Sequence, residues 1–226
     1  MTENAQTTSF PPALRARIRR VGVVAVLVIE DVEKAVPLAE TLVASGVNVM
    51  ELAMRTRASM DALEAIASRV PDMLPGAGTI LRPDQLIEAK RRGAVFAVAP
   101  GTNRAVLETA AANGMPFAPG IAVPSDIETA LEYGCRILKF FPAEPQGGLG
   151  YLRAIHAPYA HLGLEYIPLG GVSEANCREY VAERSVIAVG GSWIAPRERI
   201  AAGDFKTIGQ TAARAAQACR REERDA

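Results

Sequence analysis

The chain has 226 residues, of which 49% are hydrophobic, and its 25 basic residues balance its 25 acidic residues. A chain of this length can bury a substantial core in one large domain or two small ones, and we favour one domain. Since both signs of charge are mixed along the chain, the sequence lacks the basic surface of a nucleic-acid-binding protein, and a small neutral or anionic ligand is a better fit.

The cysteines and the N-terminus indicate where the protein works. Cys135, Cys177 and Cys219 form an odd, widely spaced set, which argues against a disulfide framework and favours a reducing, cytoplasmic location. The polar opening MTENAQTTSFPP lacks the apolar region of a secretion signal, and no window approaches about 18 apolar residues, so we expect no membrane partner. We expect residues 1–12 to be disordered and residues 13–226 to form the domain.

Short apolar runs alternate with amphipathic segments from about residue 20 onwards, which is typical of βα units around a parallel sheet. The predicted strands are VGVVAVLVI from Val21, VNVMELAM from Val47, MLPGAGTI from Met73, FAVAP from Phe96, PFAPGI from Pro116, RILKFFP from Arg136, EYIPLGG from Glu165 and VIAVGGSW from Val186. The predicted helices between them include VEKAVPLAETLVASG and RPDQLIEAKRRG, the second of which ends in basic residues and a glycine. These alternating units predict a (β/α)8 TIM barrel.

A doubly wound open sheet is the structural alternative to the barrel. No GxGxxG follows the first strand, and chemically informative residues recur at the carboxyl ends of several strands, which favours the barrel. The segment ALRARIRR before the first strand predicts either a helix that closes the bottom of the barrel or a solvated amphipathic helix, and its charges favour the second. The C-terminal TAARAAQACRREERDA predicts a last helix that leads into a charged tail.

Lys139 lies in the apolar strand RILKFFP. Burial disfavours the charged form of a lysine, so the amine is either paired with a carboxylate or partly neutral and nucleophilic. Because side chains alternate along a strand, Lys139 shares a face with Ile137 and Phe141. The strand ends in FPAE, at the end of a barrel where active sites lie, which makes Lys139 the first candidate catalytic residue.

Glu51 and Arg55 share a face of the second strand with Ala53 between them. Glu51 can approach Lys139 across the barrel, either as a catalytic group or as an ion pair that only satisfies two buried charges, and the pattern leaves both open. Arg55 at the rim offers bidentate binding to a substrate carboxylate, and the alternative is a surface pair with an acid such as Asp61. Two histidines without a neighbouring acidic cluster do not predict a metal site.

Three of the predicted strands end in glycine-bearing segments, namely GAGTI, LGGV and GGSW. Glycine lets a backbone approach an anion closely, and the loops after strands seven and eight of such a barrel recurrently bind phosphate. One Gly-Gly pair alone is more often an ordinary turn. Two such pairs on these neighbouring strands favour a phosphate site.

In chain order, the segments ELAMRT, GAGT, APG, PGIAVPSD, LKFFPAE, LGGV and GGSW resemble the family of 2-keto-3-deoxy-6-phosphogluconate (KDPG) aldolases, which includes 4-hydroxy-2-oxoglutarate (KHG) aldolases. The similarity covers about Val21 to Asp204. It implies a class I aldolase on a (β/α)8 barrel, a homotrimer that needs no metal or cofactor and cleaves KDPG to pyruvate and glyceraldehyde 3-phosphate. The implied partner is therefore a small 2-oxo acid.

The resemblance also implies a role for each matching residue. Lys139 is the Schiff-base lysine, and Glu51 is the general acid and base. Binding of the keto-acid carboxylate is assigned to Arg55 and Thr79. The implied pocket and phosphate-binding residues are Pro100, Phe141, Leu169, Gly170, Gly171, Gly191 and Ser192.

Leu169 departs from the family pattern, which commonly has a threonine before the Gly-Gly. A leucine cannot hydrogen-bond the hydroxylated part of a substrate, so cleavage of unphosphorylated 4-hydroxy-2-oxoglutarate, or of the C4 epimer of KDPG, remains an alternative. An idle barrel that serves as an oligomeric scaffold is an alternative from another class. It is disfavoured because a scaffold has no use for a lysine, a carboxylate and an arginine at strand ends.

Overall fold

The computed structural model describes residues 8–221, in which nine short parallel strands alternate with helices. The strands are β1 (Val23–Leu27), β2 (Val49–Ala53), β3 (Leu74–Gly78), β4 (Phe96–Val98), β5 (Phe117–Ala118), β6 (Gly120–Ile121), β7 (Ile137–Phe140), β8 (Glu165–Pro168) and β9 (Val189–Gly191). The α-helices are α1 (Pro12–Val21), α2 (Ala35–Ala44), α3 (Ser59–Arg69), α4 (Pro83–Arg91), α5 (Arg104–Ala112), α6 (Pro124–Glu132), α7 (Gly148–His156), α8 (Cys177–Ala182), α9 (Arg197–Ala202) and α10 (Phe205–Cys219). Short 3-10 helices span Val32–Lys34, Glu144–Gln146 and Ala157–Leu162.

The strands close into a (β/α)8 barrel, as predicted. Hydrogen bonds run through β5, β4, β3, β2, β1 and β9 in one sheet and through β6, β7 and β8 in the other. The two sheets join at one side because only Pro119 separates β5 from β6. They join at the other side through a parallel bridge between Tyr166 and Val186, just before β9. Each of the eight predicted strands lies in the barrel wall.

The fifth predicted strand, PFAPGI, is split into β5 and β6. Pro119 has no N–H to donate to a ladder, which interrupts the strand. Its carbonyl still accepts a hydrogen bond from the Lys139 backbone nitrogen at 2.9 Å, so the wall continues across the break. Gly120 then pairs in register with Lys139.

Several inward positions of the barrel are glycines that leave room for a neighbouring side chain. A Cβ at Gly76 would lie 2.2 Å from the Phe96 ring, and a Cβ at Gly190 would lie 2.5 Å from Leu169 Cγ. Large and small residues on adjacent strands thus interdigitate in the interior. The same device at Gly78 makes space for a catalytic candidate, as described below.

The N-terminal segment closes the bottom of the barrel. Phe10 is 8% exposed and its ring lies 5.8 Å from that of the inward-facing Phe96. Glu165, at the start of β8, is 6% exposed and pairs with Arg15 and Arg19 of α1. One turn of α1 thus neutralises a buried carboxylate at the amino-terminal end of the strands.

Two sequence predictions are wrong at this end of the molecule. ALRARIRR is the bottom-closing helix rather than a solvated one, because Ile18 is buried and two of its arginines bind Glu165. The disordered segment does not reach residue 12, since Thr8 and Phe10 are buried and α1 begins at Pro12. Residues 1–7, and the end of the predicted charged tail, lie outside the described residues.

Replacing Phe10 by alanine should destabilise the protein without changing its chemistry. The ring is buried against Phe96 at the end of the barrel opposite the catalytic candidates, and truncating a buried phenylalanine costs about 3–5 kcal/mol. We expect about 3 kcal/mol from urea unfolding, with Phe10→Leu losing less than half of that. An unchanged unfolding midpoint for Phe10→Ala would contradict the buried position of this segment.

Candidate active site

Lys139 and Glu51 meet inside the barrel. Lys139 Nζ donates a hydrogen bond to Glu51 Oε1 at 2.8 Å, and the two side chains are 7% and 4% exposed. They come from β7 and β2, which lie in the two different sheets, so the contact crosses the barrel interior. The predicted approach of the two residues is therefore confirmed. The ion pair is compatible with both hypotheses from the sequence, a catalytic pair and a pair that only satisfies two buried charges.

The immediate surroundings of the pair are a glycine and an aromatic ring. A Cβ at Gly78 would lie 2.2 Å from Glu51 Oε1, so only a glycine on β3 leaves space for the carboxylate. The Phe141 ring centroid is 5.4 Å from Lys139 Nζ, within the range of a cation–π contact. Sequence reasoning missed the part of Gly78, although the quoted segment GAGT contained it.

Arg55 lies immediately beyond β2, at the mouth of the barrel. Its backbone is fixed by a hydrogen bond from Arg55 N to Ala53 O at 2.8 Å, while its side chain is exposed. Within residues 8–221 that guanidinium has no hydrogen-bond or ion-pair partner. The alternative pair with Asp61 does not form, because Asp61 binds Arg92 at 2.7 Å instead. Arg55 is thus a cation free to bind an anionic ligand.

Thr79 and Pro100 follow the carboxyl ends of β3 and β4. Thr79 has a φ of 58°, which a β-branched residue rarely adopts, and it directly follows the Gly78 that accommodates Glu51. Strain of this kind is found at binding and catalytic sites. A Cβ at Gly120 would lie 2.2 Å from the Pro100 carbonyl oxygen, and Gly120 pairs in register with Lys139. Both residues are therefore near the Lys139 and Glu51 pair.

The predicted phosphate loop after β8 adjoins the same region. Gly170 and Gly171 have φ values of 90° and 87°, a left-handed backbone that favours glycine. A Cβ at Gly170 would lie 3.2 Å from the Phe141 ring, so the loop lies beside the ring that is close to Lys139 Nζ. Leu169 is 4% exposed and packs over Gly190, so its side chain fills the interior between β8 and β9.

Glu144 and Tyr180 hold this loop in place, a role that the sequence did not reveal. Glu144 N donates to Gly170 O at 2.9 Å, and the Glu144 side chain packs on Gly171. The Tyr180 hydroxyl donates to Glu144 Oε1. Burial, and then the adjacent Glu144 carboxylate, raise the pKa of Tyr180, so it stays a protonated donor. The motif KFFPAE therefore supplies Glu144, which holds the loop, as well as the candidate nucleophile Lys139.

The second predicted phosphate segment lies after β9. Gly191 is buried, and a Cβ there would collide with the Trp193 ring at 1.5 Å, so the glycine serves packing. Ser192 is exposed, and its hydroxyl has no partner within residues 8–221. Contact between Leu169 and Gly190 ties this segment to the loop after β8.

The histidines lie apart from this constellation. His156 Nδ1 is 3.2 Å from the Tyr166 hydroxyl, and His161 is exposed in the 3-10 helix before β8. No group of three or more histidine, cysteine, aspartate or glutamate side chains in residues 8–221 is arranged to hold a metal ion. Over the same residues, no helix has the length and apolar character needed to cross a membrane.

Comparison with known proteins places this site in a family. Residues 14–211 match the profile described as "Aldolase: KDPG and KHG aldolase". The chain belongs to the KDPG and KHG aldolase family. The resemblance found in the sequence is confirmed, and the chain is accordingly an aldolase, a lyase.

Three relatives show how far the similarity extends. The KHG/KDPG aldolase of Escherichia coli K12 is 43% identical over 195 residues, which cover 86% of this chain and 91% of that protein. A KDPG aldolase of Legionella pneumophila, solved with pyruvate captured as a covalent carbinolamine intermediate, has a TM-score of 0.84 and 36% identity over 88% of this chain and 96% of its own. The enzyme of Zymomonas mobilis ZM4 with 3-phosphoglycerate has a TM-score of 0.83 and 34% identity over 92% of this chain and 96% of its own.

Proposed function

We propose that this aldolase cleaves KDPG to pyruvate and glyceraldehyde 3-phosphate through an imine at Lys139. The observation that carries the proposal is the buried hydrogen bond between Lys139 Nζ and Glu51 Oε1 at 2.8 Å, below an unpaired Arg55 at the rim. A nucleophile, a proton acceptor and a carboxylate binder are the groups that imine chemistry on a 2-oxo acid requires. The covalent pyruvate adduct of the Legionella relative supports the same chemistry.

The reaction begins when the substrate carboxylate binds Arg55 and Thr79, which places the C2 carbonyl beside Lys139. Glu51 accepts a proton from the ammonium, and the neutral amine adds to C2 to form a carbinolamine. Glu51 then returns a proton to the C2 hydroxyl, which leaves as water and gives an iminium. The 2.8 Å contact serves both transfers because the hydroxyl forms on the carbon bonded to Nζ.

Cleavage uses the iminium as an electron sink. A base, Glu51 directly or through a water, removes the C4 hydroxyl proton, the C3–C4 bond breaks, and glyceraldehyde 3-phosphate leaves. The electron pair of that bond becomes an enamine of pyruvate. Protonation at C3 gives the pyruvate iminium, and hydrolysis releases pyruvate and free Lys139. The Phe141 ring lies 5.4 Å from Nζ, beside the atom on which these intermediates form.

Replacing Arg55 by alanine should weaken substrate use chiefly through KM. The lost charge-assisted bonds are worth about 1.5–3 kcal/mol, so kcat/KM should fall about 10- to 100-fold. Arg57→Ala is the matched control, since Arg57 is another exposed arginine of the same loop and lies two residues further from β2. Equal losses in both variants, measured by steady-state pyruvate release, would contradict a specific role for Arg55.

A substrate panel tests the choice of substrate. Pyruvate release is measured from KDPG, from its C4 epimer and from 4-hydroxy-2-oxoglutarate. The glycine loops, with Ser192 unpaired beside them, favour the phosphorylated substrates, so KDPG should give the highest kcat/KM. A preference for 4-hydroxy-2-oxoglutarate would favour the second candidate function, and absence of pyruvate in every case would overturn the proposal.

Leu169 should decide how sharply the C4 epimers are separated. Its buried side chain offers no hydrogen bond, whereas a hydroxyl at this position gains about 1 kcal/mol with one epimer only. Leu169→Thr should therefore shift the ratio of kcat/KM for KDPG and its C4 epimer by about 5- to 10-fold. Leu169→Val, which has the shape of threonine without the hydroxyl, is the control and should leave the ratio unchanged.

We further propose a cytoplasmic homotrimer that acts in sugar-acid breakdown of the Entner–Doudoroff type. Exposed apolar side chains near the rim support association of copies, since Leu81 and Val123 are 51% and 43% exposed in the segments after β3 and β6. The three buried, unpaired cysteines suit a reducing compartment. Sedimentation analysis that returned a monomer at micromolar concentration would contradict the trimer.

A further inference from the structure

A cavity lies at the end of the barrel opposite the catalytic site. It has a volume of about 620 Å³, within the range of small-molecule sites. Its walls are the C-terminal ends of α1, α2 and α10, together with the segment that enters β2. The lining residues are Arg20, Val21, Ser45, Gly46, Asn48, Ala213, Ala216, Gln217 and Arg220.

The charge of this cavity is positive. Arg20 and Arg220 both line it, and no acidic residue among residues 8–221 does. Both arginines are exposed, and neither guanidinium has a hydrogen-bond or ion-pair partner in the part of the chain that the structure describes. The neighbouring cations differ in this respect, since Arg19 binds Glu165 and Arg17 binds the Asp72 carbonyl. Two free guanidiniums in one cavity favour a carboxylate or a phosphate.

The rest of the cavity wall contains an acceptor that needs a hydrogen-bond donor. The side-chain oxygen of Asn48 is buried and accepts no hydrogen bond within residues 8–221. A buried acceptor of this kind needs a donor from a water or a ligand. The carbonyls at the ends of α1, α2 and α10 already accept backbone hydrogen bonds, such as that from Gly22 N to Ile18 O. A simple anion would satisfy the arginines and leave the Asn48 oxygen unmatched.

We infer that this cavity is a binding site for a small organic anion that also carries hydroxyl groups, such as a hydroxy acid or a sugar phosphate. The anionic group binds Arg20 and Arg220, and a hydroxyl donates to Asn48. Asn48 precedes Glu51 by three residues, which is about 10 Å along an extended strand. A ligand here therefore contacts the strand that carries the proton acceptor, from the opposite side of the barrel.

An NMR titration of the full chain with glycerol 3-phosphate tests the site. The backbone amides of Gly46 and Asn48 lie in the wall of this cavity, and the cavity variants below separate their response from binding at the catalytic end. We expect their shifts to saturate with glycerol 3-phosphate, to stay unchanged with glycerol, and to need about 10-fold more inorganic phosphate, which has no alcohol hydroxyl for Asn48. Unchanged amides in glycerol 3-phosphate would overturn the inference.

Two variants and a truncation complete the test. Arg20→Ala combined with Arg220→Ala should weaken the response about 10-fold or more, whereas Arg17→Ala on the same helix should leave it intact. Both cavity arginines are exposed and unpaired, so the double variant should fold. An undiminished response in that variant contradicts the site. A response seen only after deletion of residues 222–226 also overturns it, because the acidic tail would then be the occupant.

Discussion

Reduction with borohydride in the presence of pyruvate is expected to attach a three-carbon adduct to Lys139 and to abolish turnover. The Lys139 side chain is 7% exposed, and its amine lies beside the Phe141 ring and donates a hydrogen bond to a carboxylate that can take its proton. Borohydride reduces the imine to a stable secondary amine, so the adduct marks the lysine that had condensed with the ketone. Peptide mass spectrometry identifies the modified residue.

The chain supplies its own controls for this experiment. Lys34, Lys90 and Lys206 are the other lysines, and none of them is buried. They should remain unmodified, since a solvated ammonium is a poor nucleophile. A three-carbon adduct on these lysines with none on Lys139 would contradict the covalent mechanism.

The Lys139→Met variant should release no pyruvate above background. Removing one partner of a buried ion pair costs about 3–5 kcal/mol, so loss of folding is a competing explanation. The double variant Lys139→Met with Glu51→Leu removes both charges and should fold, yet remain inactive. Activity in a folded double variant would show that the pair serves structure alone.

The strands and the inward face were predictable because they depend on local periodicity. Alternation along β7 puts Lys139 on one face with Ile137 and Phe141, and alternation along β2 does the same for Glu51 and Ala53. The eight-unit pattern then predicts that these strands line one barrel, which the structure confirms. Proline at position 119, also visible in the sequence, accounts for the division of the fifth predicted strand into β5 and β6.

What the sequence did not predict depends on contacts between residues far apart in the chain. Asp61 was a possible partner of Arg55, but Arg92 from the next helix binds it, and that choice leaves Arg55 free. Phe10 sits in a polar segment whose composition suggests disorder, yet one aromatic contact with Phe96 helps to hold it in the barrel. Such pairings follow from how the closed barrel brings helices and strands together, which no local pattern encodes.

A buried carboxylate lies at each end of the barrel, and the two have different partners. Glu165 at the bottom binds two arginines of α1, so its charge is neutralised by groups that stay in place. Glu51 faces a single amine, and that amine is the group we expect to form a covalent bond. We therefore expect stability to depend on the first carboxylate and proton transfer on the second.

Replacing Glu51 by glutamine should lower kcat by about 10²–10⁴-fold, the usual contribution of a general acid or base. Glutamine keeps the size of the side chain and an oxygen that can accept the hydrogen bond from Lys139 Nζ at 2.8 Å, but it cannot take up a proton. Pyruvate should still bind, and borohydride should still trap the imine, although more slowly. Steady-state kinetics and single-turnover trapping separate these two effects.

Glu165→Gln is the matched control, since Glu165 is also a buried, inward-facing carboxylate that is ion-paired. It should lower the free energy of unfolding and leave kcat within about twofold, because it lies away from the reacting carbons. Glu51→Gln should also lose stability, since it breaks a buried ion pair, but unlike Glu165→Gln it should show a large loss of kcat. Full activity in Glu51→Gln would reduce Glu51 to a counter-ion of Lys139, and the proton transfers would then need another acceptor within reach of Nζ.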